Sequence, residues 1–321
     1  MPSSTKSKKA SRSAALLSGP IDGLLLVDKP AGPGSAEMVS RARRATGIRR
    51  IGHTGTLDRF ASGLLVLVVG RATVLADTLL KYDKTYEAIF RAGKFTDTHD
   101  PSGTVTDEAD FDQCKAFLES NQSRMQDWIA HCIGSRQQIP PDYSALKQQG
   151  QRVSDRVRKG QSVELKPRPV HIYESSLLQF RPDDEGFTVH CRFSVSSGTY
   201  IRSIVRDFSR DLGFPFHLEN LRRTSVGPFK IEDAWKPQFD DGKPMEEPRI
   251  IPLPQAFPEW YQARLDVNRA IQLEQGKKIP VPLPEKDGEN FLILRPDGRM
   301  LAIARREGNA YSLKKVFVEQ P

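Results

Sequence analysis

At 321 residues the chain exceeds what one hydrophobic core usually holds, which points to two domains. Its 38% hydrophobic and 27% charged residues are those of an ordinary globular protein, and no apolar run reaches the length of a membrane span. The 48 basic against 40 acidic residues, a net charge of +8, favour a polyanionic partner such as nucleic acid, whereas the scattered Cys114, Cys132 and Cys191 lack the spacing of a disulfide framework or a zinc ribbon.

The N-terminal stretch MPSSTKSKKASRSAALLSGP, residues 1–20, is basic, serine-rich and free of acidic side chains, so it cannot build a packed core. A solvated tail and an organellar transit peptide share that composition, and the weak amphipathic periodicity favours the tail. From Gly23, GLLLVDKP reads as a buried strand closed by a proline, with Lys29 at its exit. Ser35 suits the N-cap of a helix running to about Thr46, with Met38, Val39 and Ala42 as its apolar stripe and Gly47 as its stop. Arg41, Arg43, Arg44, Arg49 and Arg50 make its other face and sequel basic, suited to phosphates or to plain solvation.

Residues 50–73, RIGHTGTLDRFASGLLVLVVGRAT, bracket His53 and Thr54 with glycines and place a lone Asp58 in a loop before the buried run Leu64 to Val69. On pattern alone such an aspartate closes a turn. KTYEAIFRA alternates, with Tyr86, Ala88 and Phe90 on one face, as a half-buried strand does. Ile201, Ile204, Val205, Phe208 and Leu212 form a helical stripe, and Arg202 lies beside it near the helix start. From about Arg249 the proline-rich IPLPQAFPEW leads to a short helical stretch and three strand-like runs, NFLILRP, MLAIARR and YSLKKVFV, which suggest a small β-rich module.

The order G-H-T-G-x-L-D, followed two residues later by A-S-G, resembles the signature loop of the TruB-type tRNA pseudouridine-55 synthases. LLLVDKPAG at 24–32, DKTYEA at 83–88, TDTHDPSG at 96–103, QIPPDYSALK at 138–147, SSGTYIRSIVRDFSRDLG at 196–213 and HLENLRRTSVGPF at 217–229 resemble that family's further blocks, in its order. The resemblance implies an α+β catalytic domain over 21–248, with a mixed, largely antiparallel sheet flanked by helices and an RNA-clamping insertion at about 138–166. It implies a PUA-like RNA-binding domain over 249–321. The implied reaction converts the T-loop uridine at position 55 of tRNA to pseudouridine, in the cytoplasm, by a monomer without guide RNA, membrane attachment, metal or organic cofactor.

That isomerisation breaks N1–C1′ and forms C5–C1′, and it asks for an ionised carboxylate acting on a base held out of its stack. By resemblance Asp58 is that carboxylate, and Arg202 pairs with it and holds its pKa down. Tyr86 stacks on the flipped base with its hydroxyl placed for proton transfer at C5, Leu221 supplies an apolar wall and Tyr200 is the second aromatic. His53 enters the T-loop with Lys29 nearby, and Lys147, Arg152, Arg156, Arg158 and Lys159 of the insertion meet phosphates. A non-catalytic tRNA-folding protein using the same cleft is the competing class, against which the intact Asp58, Tyr86 and Arg202 argue. An RNA glycosylase or methyltransferase ranks far behind, since no SAM-type glycine loop or catalytic thiol motif stands out.

Arg59 stands where the family usually has proline. Without a preset φ the loop is expected to hold Asp58 less rigidly, unless the arginine gains an RNA phosphate contact. The GPGS at 32–35 and the absence of the usual tyrosine near Ser154 are smaller departures.

Overall fold

The computed structural model describes residues 22–144, 147–148, 151–153, 156, 163, 165–237 and 247–318. The basic N-terminal stretch, Ser154, Arg158 and Lys159 lie outside the described residues, as do the side chains of Lys147 and Arg152. The chain divides into two compact units, one over Leu24–Ile251 and the other containing Pro252–Pro321.

In the larger unit the elements run β1 (Gly23–Lys29), α1 (Ser35–Thr46), β2 (Ile51–His53), β3 (Ser62–Val69), α2 (Ala76–Leu80), β4 (Lys84–Ala92), β5 (Lys94–Thr96), β6 (Val105–Glu108), α3 (Phe111–Ala130) and β7 (Gly134–Gln138). A short hairpin, β8 (Lys147–Gln148) and β9 (Gln151–Arg152), precedes β10 (Arg168–Asp183), β11 (Gly186–Val195), the helix α4 (Ile201–Leu212), β12 (Phe216–Val226) and β13 (Phe229–Lys230). The main sheet runs β1-β3-β12-β4-β11-β10-β7, with β2 on β3 and β13 on β12. β12 meets β3 in parallel, whereas its pairing with β4 and the β4–β11, β11–β10 and β10–β7 pairings are antiparallel. This is the mixed, largely antiparallel α+β architecture that the motifs imply.

The helices cover one face because their apolar stripes match the inward residues of alternating strands. Met38, Val39 and Ala42 of α1, Leu118, Met125 and Ile129 of α3, and Ile201, Ile204, Val205, Phe208 and Leu212 of α4 join one core with Tyr86, Ala88 and Phe90 of β4. α1 stops at Gly47, which takes φ 71° and donates its N–H to Arg43 O. Its start differs from expectation, because Gly34 is the N-cap and makes no side-chain cap. The Ser35 hydroxyl instead accepts from Leu57 N at 3.0 Å and reaches Leu57 O at 3.3 Å, so it fastens the residue before Asp58.

β3 is buried along nearly its whole length, and its entry explains the glycine of A-S-G. Gly63 sits at φ 108° beside the backbone of Arg223, and a Cβ there would stand 2.3 Å from Arg223 O. Only glycine lets β3 and β12 cross this closely.

In the second unit, strands Gln262–Arg264, Asn290–Leu294, Met300–Glu307 and Ala310–Val316 form one sheet in that order, with the first pair parallel and the others antiparallel. Helix Val267–Glu274 begins at Asp266, whose carboxylate accepts from Arg269 N at 2.8 Å. Ala270 and Leu273 of that helix pack into a separate core with Phe291, Ile293 and Leu301. The helical stretch and the three strand-like runs fall where the pattern puts them, and Gln262–Arg264 is an added short strand.

Gly63→Ala adds a backbone collision to a strained φ, whereas a Cβ at Gly134, also at positive φ (116°), meets nothing within 4 Å. Urea unfolding should therefore show a loss of about 1–3 kcal/mol for Gly134→Ala and a clearly larger loss, or no folded protein, for Gly63→Ala.

Candidate active site

Asp58 lies in the loop between β2 and β3, and Arg202 is the second residue of α4. The Arg202 guanidinium is 3% exposed and donates from Nε to Asp58 Oδ2 at 2.9 Å. Its other nitrogens donate to Tyr143 O at 2.9 Å and Thr98 O at 3.4 Å, and Asp100 Oδ2 lies 3.6 Å away. One side chain thus ties together the Asp58 loop, the TDTHDPSG turn and the PPDYS segment.

The motif placed Asp100 in view, but no local signal marked its role. Its carboxylate is buried, accepting from Thr98 Oγ1 at 2.8 Å and Ser102 N at 2.9 Å, so the turn presents a fixed negative charge to Arg202. The Asp58 side chain keeps 38% of its surface open. Burial pushes the Asp58 carboxyl above the usual 3.8, Arg202 pulls it back and Asp100 adds to the rise. The expected net lowering by Arg202 is therefore corrected: the arginine moderates a rise that desolvation dominates.

Lys29 also departs from the expected RNA contact. It is fully buried, and Nζ donates to Pro30 O and Pro33 O at 2.9 Å and to Arg59 O at 3.4 Å. All three ammonium protons are thereby directed at backbone carbonyls, and Lys29 fastens the β1–α1 loop to the Asp58 loop. Burial lowers its pKa to about 8, while Asp58 opposes the fall.

Arg223 is the other residue that sequence reasoning missed, the second of two adjacent arginines in HLENLRR. It is buried and donates from Nε to Leu64 O at 2.7 Å and from a terminal nitrogen to Gly55 O at 3.4 Å, so it spans both ends of the Asp58 loop. Its register partner across β12 and β4 is Tyr86, and Leu221 stands opposite Ala88. Tyr86 and Leu221 therefore occupy the same sheet face as diagonal neighbours.

Tyr200 precedes α4 and is held by Gln138: its N–H donates to Oε1 at 2.8 Å and its carbonyl accepts from Nε2 at 3.1 Å. Burial raises its phenol above 10.0, and Asp58 contributes to that rise, which places the two groups within electrostatic reach. His53 ends β2 opposite Leu67, and Thr54 beside it bonds Val66 O at 3.0 Å. Lys147 enters the β8–β9 hairpin paired with Arg152. Asp58, Arg202, Lys29 and Tyr200 are thus gathered at one locus, with Tyr86 and Leu221 on the strands that Arg223 links to it. The side chain of Lys147 lies outside the described residues.

The Lys29 pKa falls from 10.5 to about 8 in the folded protein. Between those values the unfolded chain binds more protons than the folded one, so the Lys29 contribution to stability rises with pH across that window. Unfolding measured from pH 8 to 10.5 should show wild type gaining on Lys29→Met as pH increases, and parallel curves would contradict the burial.

Residues 43–201, which include Asp58, Tyr86 and Asp100, match the model of the TruB family pseudouridylate synthase N-terminal domain. The chain is 38% identical over 301 residues to tRNA pseudouridine synthase B of Thermobifida fusca (strain YX), covering 92% of this chain and 98% of that protein. It is 41% identical over 215 residues to tRNA pseudouridine synthase B of Bordetella avium (strain 197N), covering 67% and 85%. Among solved structures, a Cbf5-Nop10-Gar1 complex shares the fold with a TM-score of 0.62 and 23% identity, over 92% of this chain and 85% of that one. With Asp58 fastened to Arg202 inside that fold, and almost the whole of a 38%-identical relative spanned, the chain belongs to the TruB family of pseudouridylate synthases.

Proposed function

We propose that this protein isomerises the T-loop uridine of tRNA, position 55, to pseudouridine, with Asp58 as the catalytic carboxylate. The observation that carries this reading is the Asp58–Arg202 pair at 2.9 Å, its arginine buried and its carboxylate partly open to the outside, held at the meeting point of three motif segments. The names of the curated relatives supply the substrate class. A uridine stacked within the RNA loop cannot reach such a carboxylate, so the base is extruded, at a cost of a few kcal/mol that stacking on an aromatic ring offsets. Tyr86 is assigned that stacking role, with its hydroxyl toward C5, and Leu221 the apolar wall. Tyr200 is assigned as the second aromatic, and His53 and Lys147 are assigned to the RNA loop and its phosphates.

Asp58 acts as a nucleophile or as a base at the sugar, and either course leaves the proton from C5 to be passed on as C5–C1′ forms and N1 takes a proton. The smaller unit, with its four-stranded sheet, is read as the PUA-like RNA-binding domain. We further read the enzyme as a cytoplasmic monomer working without a guide RNA. No helix among the described residues is long and apolar enough to cross a membrane.

Pseudouridine mapping by carbodiimide primer extension on an unmodified tRNA transcript tests the assignment. Wild type should give one new stop at the T-loop uridine, and Asp58→Asn should lose at least about 10²- to 10⁴-fold in rate while retaining tRNA affinity. Intact tRNA binding without any stop from wild type would favour the tRNA-folding alternative.

The pH dependence follows from the raised Asp58 pKa. If the ionised carboxylate reacts, kcat falls as pH drops through a midpoint above 3.8. Arg202→Gln removes a charge that lowers this pKa, so the acid limb of its residual activity should move to still higher pH. A limb that stays in place would separate Arg202 from the titration of Asp58.

A further inference from the structure

Arg59 follows Asp58 directly, and its backbone is not loose. Its carbonyl accepts from Gly32 N at 2.7 Å and from Lys29 Nζ at 3.4 Å, which gives the loop by hydrogen bonding the constraint a proline would give covalently. The Arg59 side chain is therefore carried at a set offset from the reacting carboxylate.

The guanidinium itself has little to hold. Nε donates to Gly32 O at 3.3 Å, the side chain is exposed, and among the described residues no carboxylate lies within ion-pair distance of it. Arg202, Arg91 and Arg222 in the same unit each have one. Arg59 is also placed against its own kind of charge, since it adds to the lowering of the Lys29 pKa by repulsion. The rim beside it is bare: a Cβ at Gly32 or Gly34 would meet nothing within 4 Å, so a polymer backbone can approach closely. An exposed planar fork whose terminal donors are unused among the described residues, next to a cluster of cations and an open glycine rim, suits an anion with paired oxygens.

The geometry points to Arg59 as a phosphate-binding residue that grips the RNA backbone at the nucleotide whose base reaches Asp58. The inference rests on the isomerase reading for the identity of that nucleotide. A base that enters the cleft brings its flanking phosphates to the rim, and the fixed Arg59 backbone then sets how deep the nucleotide can sit. A guanidinium that meets its anion only in the complex acts on substrate capture and register and leaves the bond-making step to Asp58.

The test uses the full chain and a T-arm stem-loop RNA, unmodified or carrying one neutral methylphosphonate at successive linkages around the target uridine. Arg59→Ala should raise KM about tenfold, the size of a charge-assisted contact, with the loss falling in KM and not in kcat. The slope of log affinity against log salt should shrink by about 0.7, the share of one phosphate on a single strand. Arg59→Lys should keep the salt slope and recover part of the KM. One methylphosphonate linkage should abolish the difference between wild type and Arg59→Ala, whereas the others leave it intact. The proposal is overturned if Arg59→Ala matches wild type in KM and salt slope, or if its penalty is the same on every methylphosphonate RNA. A loss confined to kcat and restored by Arg59→Pro would also overturn it and assign Arg59 to loop shape. If wild type forms no pseudouridine, the isomerase reading fails, and the affinity arm still decides whether Arg59 holds a phosphate.

Discussion

Burying the Arg202 guanidinium at the start of α4 is the constraint around which the site is arranged. A cation there faces the positive end of the helix dipole, a penalty of about 0.3–1 kcal/mol, and loses its hydration as well. Charge-assisted hydrogen bonds of about 1.5–3 kcal/mol each outweigh that, provided acceptors are present. Asp58, Thr98 O and Tyr143 O supply them from segments far apart in sequence, and the Asp100 carboxylate adds an ion pair at 3.6 Å. The α4 apolar stripe is locked in the core, so Arg202 cannot follow a wandering partner. The loops must come to it, and Asp58 is oriented as a result.

The same logic governs the surrounding cations. Lys29 and Arg223 are buried and bond chiefly to backbone carbonyls, which shapes the loop around Asp58 without placing another carboxylate there. Asp58 remains ionisable but is raised in pKa, because desolvation exceeds the pull of its arginine. A carboxylate so placed is, in its ionised form, more basic and more nucleophilic than a free one. The hydrogen-bonded Arg59 backbone shows that rigidity at this position does not require a pyrrolidine ring.

Much of the framework was legible in short-range pattern. The apolar run of β1, the alternation of β4, the α4 stripe and the αL glycine that ends α1 each express a local period or a local backbone preference, and tertiary packing agrees with them. The three C-terminal strands were legible for the same reason. Ser35 was misread because a serine at a helix start satisfies the capping pattern whatever its hydroxyl bonds, and here the partner is Leu57, 22 residues away. The Arg59 loop was expected to be looser because the compensating donors, Gly32 N and Lys29 Nζ, come from a different loop.

By itself the sequence determined β1, α1, β3, β4, α4 and the three C-terminal strands, the glycine that stops α1 and, through the ordered motifs, the identity of Asp58, Arg202 and Tyr86 as a set worth bringing together. Only the tertiary structure decided that Lys29 faces carbonyls and not solvent, that Asp100 completes the charge balance around Arg202, and that Arg223 spans the Asp58 loop from the strand opposite Tyr86. Periodicity encodes which face of an element is buried. It does not encode which buried donor meets which acceptor, because those pairings join residues up to 168 positions apart and exist only once the sheet has set β3 beside β12.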